Sequence, residues 1–311
     1  MSKLVPNYLD YPLRRAGNDH GRFPHRYLAA DKPVTWPGGK SLLLWITIHA
    51  EHFPMDMPAK PIMPLGGMDR PAPSVWDYST RDYGNRLGIF RIMRVLDRYG
   101  LKASVAMNSV VAARYPFLVE EIVRRGWEIV ASGTDMAHLH HGELPMETER
   151  AYVQESFSTL RRVSGQPIAG WHSPAHSQSQ NTPELVAEAG AEFIADWISD
   201  DMPYPFATQK GPLVQLPLSY DLSDRKICFL HNQTMAEYGH QIGAAFDVLR
   251  EEADQRGGRI LSLSLSPWVI GMPSRIATLD RLLARFAATV GVGSATGAEI
   301  SDSWRAQQVT G

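Results

Sequence analysis

Cysteine is nearly missing from this chain: Cys228 stands alone among 311 residues. One thiol excludes an internal disulfide and a cysteine-built zinc site, and it fits a reducing compartment. An excess of either charge is missing too. The 31 Lys and Arg face 33 Asp and Glu, a net of -2, so neither nucleic acid nor an anionic membrane is expected as a partner. Long apolar runs are also lacking; the longest lies near residues 42–48, far too short to span a bilayer. The opening MSKLVPNYLDYPLRRAGNDHGRFPHRY has no apolar core after its basic residues. No signal peptide is read there, and a cytoplasmic location is expected. No GxSxG elbow is present, which removes support for a serine hydrolase. Gly66-Gly67 and Gly257-Gly258 lack the strand–GxGxxG–helix setting of a nucleotide site.

What is present is a rhythm of strands and helices over 44% hydrophobic residues. Residues 1–38 are rich in Pro, Arg, Tyr and His without a period. They read as an arm laid over its own domain or over a neighbouring subunit in a homo-oligomer, with residues 39–311 as one domain. SLLLWITIHA (41–50) is nearly continuous in apolar residues, the pattern of a parallel strand buried on both faces. A long Pro- and Met-rich excursion follows at 52–76. Residues 85–100 carry Leu87, Phe90, Ile92, Met93, Leu96 and Tyr99 at helical spacing and stop at Gly100. Strands are then expected at 102–109, 127–132, 167–173, 191–197, 211–219, 226–230 and 259–266. Helices are expected at 116–126, 147–165, 182–190, 240–257 and 277–291. Alternation of this kind predicts a parallel α/β architecture of about seven β/α units, a barrel-like number.

Local strings narrow this further. WPGGKSLLLWITIHAEHF, DYGNRLGIFRIMRVLDRYGLKASVAMNS, YPFLVEEIVRRGWEIVASG and GWHSPAHSQSQNTPELVAEAGAEFIADWISDDMPYP come in order, and LPLSYDLSD, LSLSPWVIGMPSRIATLDRLLARF and TGAEISDSW follow. Together, over about residues 35–305, the chain resembles the polysaccharide deacetylase superfamily, and most of all its metal-independent allantoinase-like branch. The resemblance implies a distorted (β/α) barrel and a hydrolase of carbon–nitrogen bonds other than peptide bonds. It implies functional groups at the C-terminal ends of the strands. In deacetylases two aspartates end the first strand, as base and metal ligand, and two histidines four residues apart complete a metal site. Here the first position reads His49-Ala50-Glu51-His52, so the base role carries to Glu51. The histidine positions hold Ser132 and Met136, and two further histidine positions hold Ser266 and Ser274. A hydroxyl and a thioether are poor zinc ligands, so no metal and no other cofactor is expected.

The remaining candidates come from strand ends. His172 ends the strand PIAGWHS and either binds a carboxamide oxygen, acts as general acid, or packs against Trp171. His52 follows the base. Asn85 and Asn108 offer amides that both donate and accept, which suits a ureide or imide. Ser132 joins that rim. The resemblance puts Asp201 near the pocket and matches Asp224 to an acid of the allantoinase-like branch. Asp224 would accept from a substrate ring nitrogen or serve as a capping residue. Trp268 and Tyr83 would form apolar walls, or plain core. The expectation is a small cyclic ureide, imide or amide, with Glu51 and His172 catalytic and His52, Asn85, Asn108, Ser132, Asp201, Asp224 and Trp268 binding substrate. Two rivals remain: an N-deacetylase holding a divalent metal such as zinc on replacement ligands among His49, Glu51, His138 and His140, and an inactive homologue that only binds a ligand.

Overall fold

The computed structural model describes residues 20–24, 27–28, 32–57 and 72–309. Its centre is a curled, mostly parallel sheet. The strands are β1 (Leu42–Ala50), β2 (Ser104–Met107), β3 (Glu128–Ala131), β4 (Gly170–Trp171), β5 (Phe193–Ile194), β6 (Tyr204–Phe206), β7 (Leu213–Gln215), β8 (Arg259–Leu265) and β9 (Val292–Ser294). Their spatial order is β6-β7-β5-β4-β3-β2-β1-β8, and β9 pairs with the first half of β1. Among the described strands only the β6–β7 ladder is antiparallel. Among the described residues no ladder joins β8 to β6 or β7. Across that gap the Ser219 N–H donates to Ser262 Oγ at 3.1 Å. The result is a distorted barrel, as the resemblance implies, and its ladder is open between β8 and the β6–β7 side among the described residues.

The outside is covered by nine α-helices among the described residues: α1 (Val75–Tyr83), α2 (Ile89–Tyr99), α3 (Ser109–Arg114), α4 (Pro116–Arg124), α5 (Met146–Ser164), α6 (Thr182–Glu188), α7 (Met235–Arg256), α8 (Ile276–Ala287) and α9 (Gly297–Val309). No helix among the described residues is long and apolar enough to cross a membrane. Leu42, Leu44, Ile46, Ile48 and Ala50 of β1 face the helices, in one core with Ile89, Ile92, Leu279 and Phe286. Residues of the other parity, Leu43 and Trp45, meet Val130, Phe193, Val214 and Ile260 inside the barrel. Strand geometry sends alternate side chains to opposite faces. Every residue of β1 is buried, so the strand reads as a continuous apolar run.

The interior changes character along its length. Its lower part is apolar and is closed by Ile300 and Trp304 of α9. Going up the inner face of β1, Trp45 is followed by Thr47 and His49, with Glu51 just past the strand, and β8 presents Ile260, Ser262 and Ser264, with Ser266 just past its end. The polar end is the C-terminal end of the strands, where barrel chemistry resides.

Glu128 ties the lower end together. Its carboxylate accepts from Ser104 Oγ (2.6 Å), Gly297 N (2.8 Å) and Ala298 N (3.0 Å) at the start of α9. Burial pushes its carboxyl up from 4.5 to about 7, against the lowering effect of those hydrogen bonds. The native state therefore holds this proton over a range in which the unfolded chain has released it. Stability from this group is complete below the unfolded value and falls as pH rises toward 7. Glu128→Gln should flatten the pH dependence of unfolding between those limits, by up to about 3 kcal/mol relative to wild type. Urea midpoints of both proteins at several pH values check this; parallel curves would refute it.

The residue pattern misleads at 226–230. KICFL is expected as a strand but forms a π-helical turn, Lys226–Leu230. Ile227 is buried while Phe229 and Leu230 are exposed. Four apolar residues in a row are too few for periodicity to separate strand from turn. The short β6 and β9, and helices α1, α3 and α9, were not expected from the residue pattern. Of the arm, Phe23 packs on Trp197, Tyr204 and Phe206, and the Ala207 N–H donates to Arg22 O at 2.7 Å. Val34 and Trp36 join the inner apolar cluster. The described parts of the arm thus lie on their own barrel. Residues 58–71 of the excursion lie outside the described residues.

Candidate active site

Glu51 is the first residue beyond β1 and is buried. Its carboxylate forms an ion pair with the buried guanidinium of Arg225. Its backbone is fixed from α1's side, where Asn85 Nδ2 donates to Glu51 O at 2.8 Å. Asn85 reaches this point because the π-helical segment Gly84–Gly88 presses against the turn after β8. A Cβ on Gly88 would lie 2.0 Å from Pro267 O, and one on Gly84 2.8 Å from Trp268 N. Only glycine allows that approach. Asn108 clamps the other side: its Oδ1 accepts from His52 N at 2.8 Å and its Nδ2 donates to Ser132 O. Both amides are thus bound to backbone, joining the ends of β1, β2 and β3.

Next to Glu51 the interior carries a row of imidazoles. His49 Nε2 and Ser264 Oγ share a hydrogen bond of 2.7 Å. The His49 ring lies 5.3 Å from His172, and His172 lies 4.5 Å from His176, both edge-on. His172 Nδ1 is 3.2 Å from Ala195 O and 3.3 Å from Asp196 Oδ1. Asp196 also accepts from Ser173 N (2.6 Å) and Ser173 Oγ (2.7 Å). Burial holds His49 well below the usual imidazole range, with His172, Arg225 and His176 adding to the effect. Burial and His172 bring His176 down to about 3. Both rings are neutral near pH 7. Burial alone would raise the Asp196 carboxyl, but the hydrogen bonds from His172 and Ser173 hold it below its ordinary range. Desolvation lowers the Arg225 guanidinium to about 9.

A cleft of about 740 Å³ opens beside this row, lined in part by His176, Gln178, Asp196 and Trp197, with His20 and Arg22 of the arm as one wall. Glu51 does not line it; the imidazole row stands between.

The expected site residues divide into groups. Glu51 and His172 belong to one polar interior. His52 is buried with its ring edge-on to Tyr78 at 6.1 Å. Trp268 covers the guanidinia of Arg81 and Arg225, at 4.2 and 5.4 Å. Asp224 Oδ2 accepts from Ser266 N (2.9 Å) and Ile270 N (3.2 Å), which anchors the turn after β8. Burial pushes its carboxyl up to about 7. Asp201 is not brought to this cluster. It shares a small cleft with Ile260 and Ser262, and its carboxyl is raised by burial and then by Glu252, near Arg259 at the start of β8. Sequence reasoning missed Arg225, His176 and Asp196. The spacing His172-Ser-Pro-Ala-His176 was a readable signal for one of them. Nothing local marked Arg225 as the partner of Glu51.

The residues at the deacetylase metal position do not fit a metal. Ser132 and Met136 stand where histidines would, and the carboxylate of Glu51 already faces a resident cation, Arg225. A guanidinium at that point repels a second positive charge. His140, one of the replacement ligands considered, is fully buried, with Nδ1 on Glu149 Oε1 at 3.0 Å. His138 Nδ1 is 2.7 Å from Asp135 Oδ1 on a half-exposed loop.

Residues 71–194 match the family model described as polysaccharide deacetylase. A Schizosaccharomyces pombe protein assigned by name to the polysaccharide deacetylases is 24% identical over 247 residues, 73% of this chain and 75% of its own. Among solved structures, one from Pseudomonas aeruginosa PAO1, also assigned by name to that family, superposes with a TM-score of 0.80 at 22% identity, covering 91% of this chain and 98% of that one. The Puue allantoinase superposes with a TM-score of 0.79 at 22% identity, again covering 91% and 98%. These likenesses establish the fold.

Proposed function

We propose that this chain is a hydrolase of carbon–nitrogen bonds other than peptide bonds, acting on a small cyclic ureide, imide or amide, with Glu51 as general base. The observation that carries the reading is the buried Glu51–Arg225 pair at the C-terminal mouth of the barrel, beside neutral imidazoles. The guanidinium of Arg225 holds the Glu51 carboxylate at that mouth. Glu51 takes a proton from water as the water oxygen bonds to the substrate carbonyl carbon. His172, oriented by Asp196, donates to the carbonyl oxygen as negative charge develops there. The carbon–nitrogen bond then breaks, and the proton passes to the leaving nitrogen.

The family match and the likeness to an allantoinase favour this reaction class. The direct test is a screen of purified protein against allantoin, hydantoins, cyclic imides and N-acetyl sugars. Turnover is expected on a cyclic ureide or imide. Faster deacetylation of chitin oligomers than of any small cyclic amide would reverse the assignment.

A further inference from the structure

We infer that His172, His176 and Asp196 form a binding site for a divalent transition-metal ion of the zinc type, on β4 and β5 rather than on β1 and β3. Among the described residues this is the one group of three or more such donors whose ligand atoms all lie within 4.8 Å of one another. Ligands at zinc distances in a tetrahedron are about 3.4 Å apart, and His172 Nδ1 and Asp196 Oδ1 already stand at 3.3 Å. The third donor, on His176, lies within the same 4.8 Å set.

The local backbone is organised around these groups. Ala175 and His176 both take left-handed conformations, with φ of 57° and 54°. Such conformations are uncommon for non-glycine residues and gather at functional sites. They follow Pro174, whose carbonyl accepts from the Ser177 N–H at 3.1 Å, while the Ser173 carbonyl accepts from the His176 N–H at 3.0 Å. This turn directs the His176 ring back onto His172, with Tyr220 edge-on behind it at 5.7 Å. Asp196 is oriented by both Ser173 contacts, the outer-sphere support that ligating carboxylates usually have. Two imidazoles and a carboxylate suit zinc. His176 and Asp196 line the large cleft, so a fourth position would be open to a ligand from solvent. The donor set carries one compensating carboxylate, Asp196.

The inference rests on the hydrolase reading only for its relevance to turnover, because a bound ion would engage His172. Binding itself is measured without substrate, so either idea can fail alone. Chelator-treated full-length protein is titrated with Co²⁺, then with Zn²⁺ as competitor. One Co²⁺ per chain with visible d–d absorption, displaced by Zn²⁺, is expected. His176→Gln, which keeps the side chain's approximate size, should weaken binding more than about 100-fold, beyond the usual loss for an outer-sphere partner. His138→Ala, in the neighbouring histidine-rich loop, should keep the signal. Wild-type protein without the absorption, an unchanged signal in His176→Gln, or loss of the signal in His138→Ala would each overturn the site.

Discussion

Glu51→Gln is expected to lower kcat by about 10²–10⁴-fold on the substrate found by screening, the usual loss for a general base, with a much smaller change in KM. The amide keeps the size of the side chain but cannot accept the proton. It also leaves the buried Arg225 cation opposite a neutral group. Breaking a buried ion pair from one side typically destabilises by about 3–5 kcal/mol, so part of any activity loss could be unfolding. Circular dichroism and a urea midpoint on the same preparation separate the two, as does measuring kcat well below the new melting temperature. Arg225→Met supplies the converse: Glu51 remains, and its neighbour is gone. If folded Glu51→Gln retained more than about a tenth of wild-type kcat, far short of the loss typical of a general base, the base would have to be sought among His49, His172 and His176.

Glu149→Ala should be among the most destabilising single changes in the molecule, at about 3–5 kcal/mol out of a total stability typically of 5–15 kcal/mol. Glu149 lies in the first turn of α5 and is fully buried. It accepts from His140 Nδ1 (3.0 Å), Ser179 Oγ (2.7 Å) and Thr182 Oγ1. One carboxylate thereby ties the loop after β3 to the start of α6. Alanine would leave three buried polar groups without this acceptor, and unmade bonds of that kind are what make such losses large. The group also has a pH signature. Burial would raise its carboxyl, but the bonds from His140, Thr182 and Ser179 hold it below 4.5. Its contribution is complete above the unfolded value and is lost as pH falls through the native one. The variant should therefore lose less stability on acidification than wild type. A fall in urea midpoint with unchanged m is the expected pattern. A loss of under about 1 kcal/mol, the net worth of one ordinary hydrogen bond, would show that the network is dispensable.

Much of this molecule is legible along the chain. The apolar run 41–50 marks β1, and the apolar spacing from Leu87 to Tyr99 marks the helix that packs behind it, because burial on both faces and helical periodicity leave direct traces in residue order. Strand ends follow from those elements, so Glu51 and His172 could be placed at the mouth of the barrel before any coordinates. The turn at 226–230 could not, since its four apolar residues fit a strand equally well. The amides of Asn85 and Asn108 looked like free recognition groups from the sequence. In the structure they hold the backbone of Glu51, His52 and Ser132.

The sequence by itself determined the alternation of strands and helices and the burial of β1 on both faces, and it placed Glu51 and His172 at strand ends, since each depends on neighbours a few residues away. Tertiary structure alone decided what surrounds them. Arg225 meets Glu51, and Asp196 and His176 meet His172, because the curled sheet brings strand ends from distant parts of the chain to one mouth. Those contacts are set by strand order and by the direction of each turn, and neither leaves a periodic signal in the residues themselves.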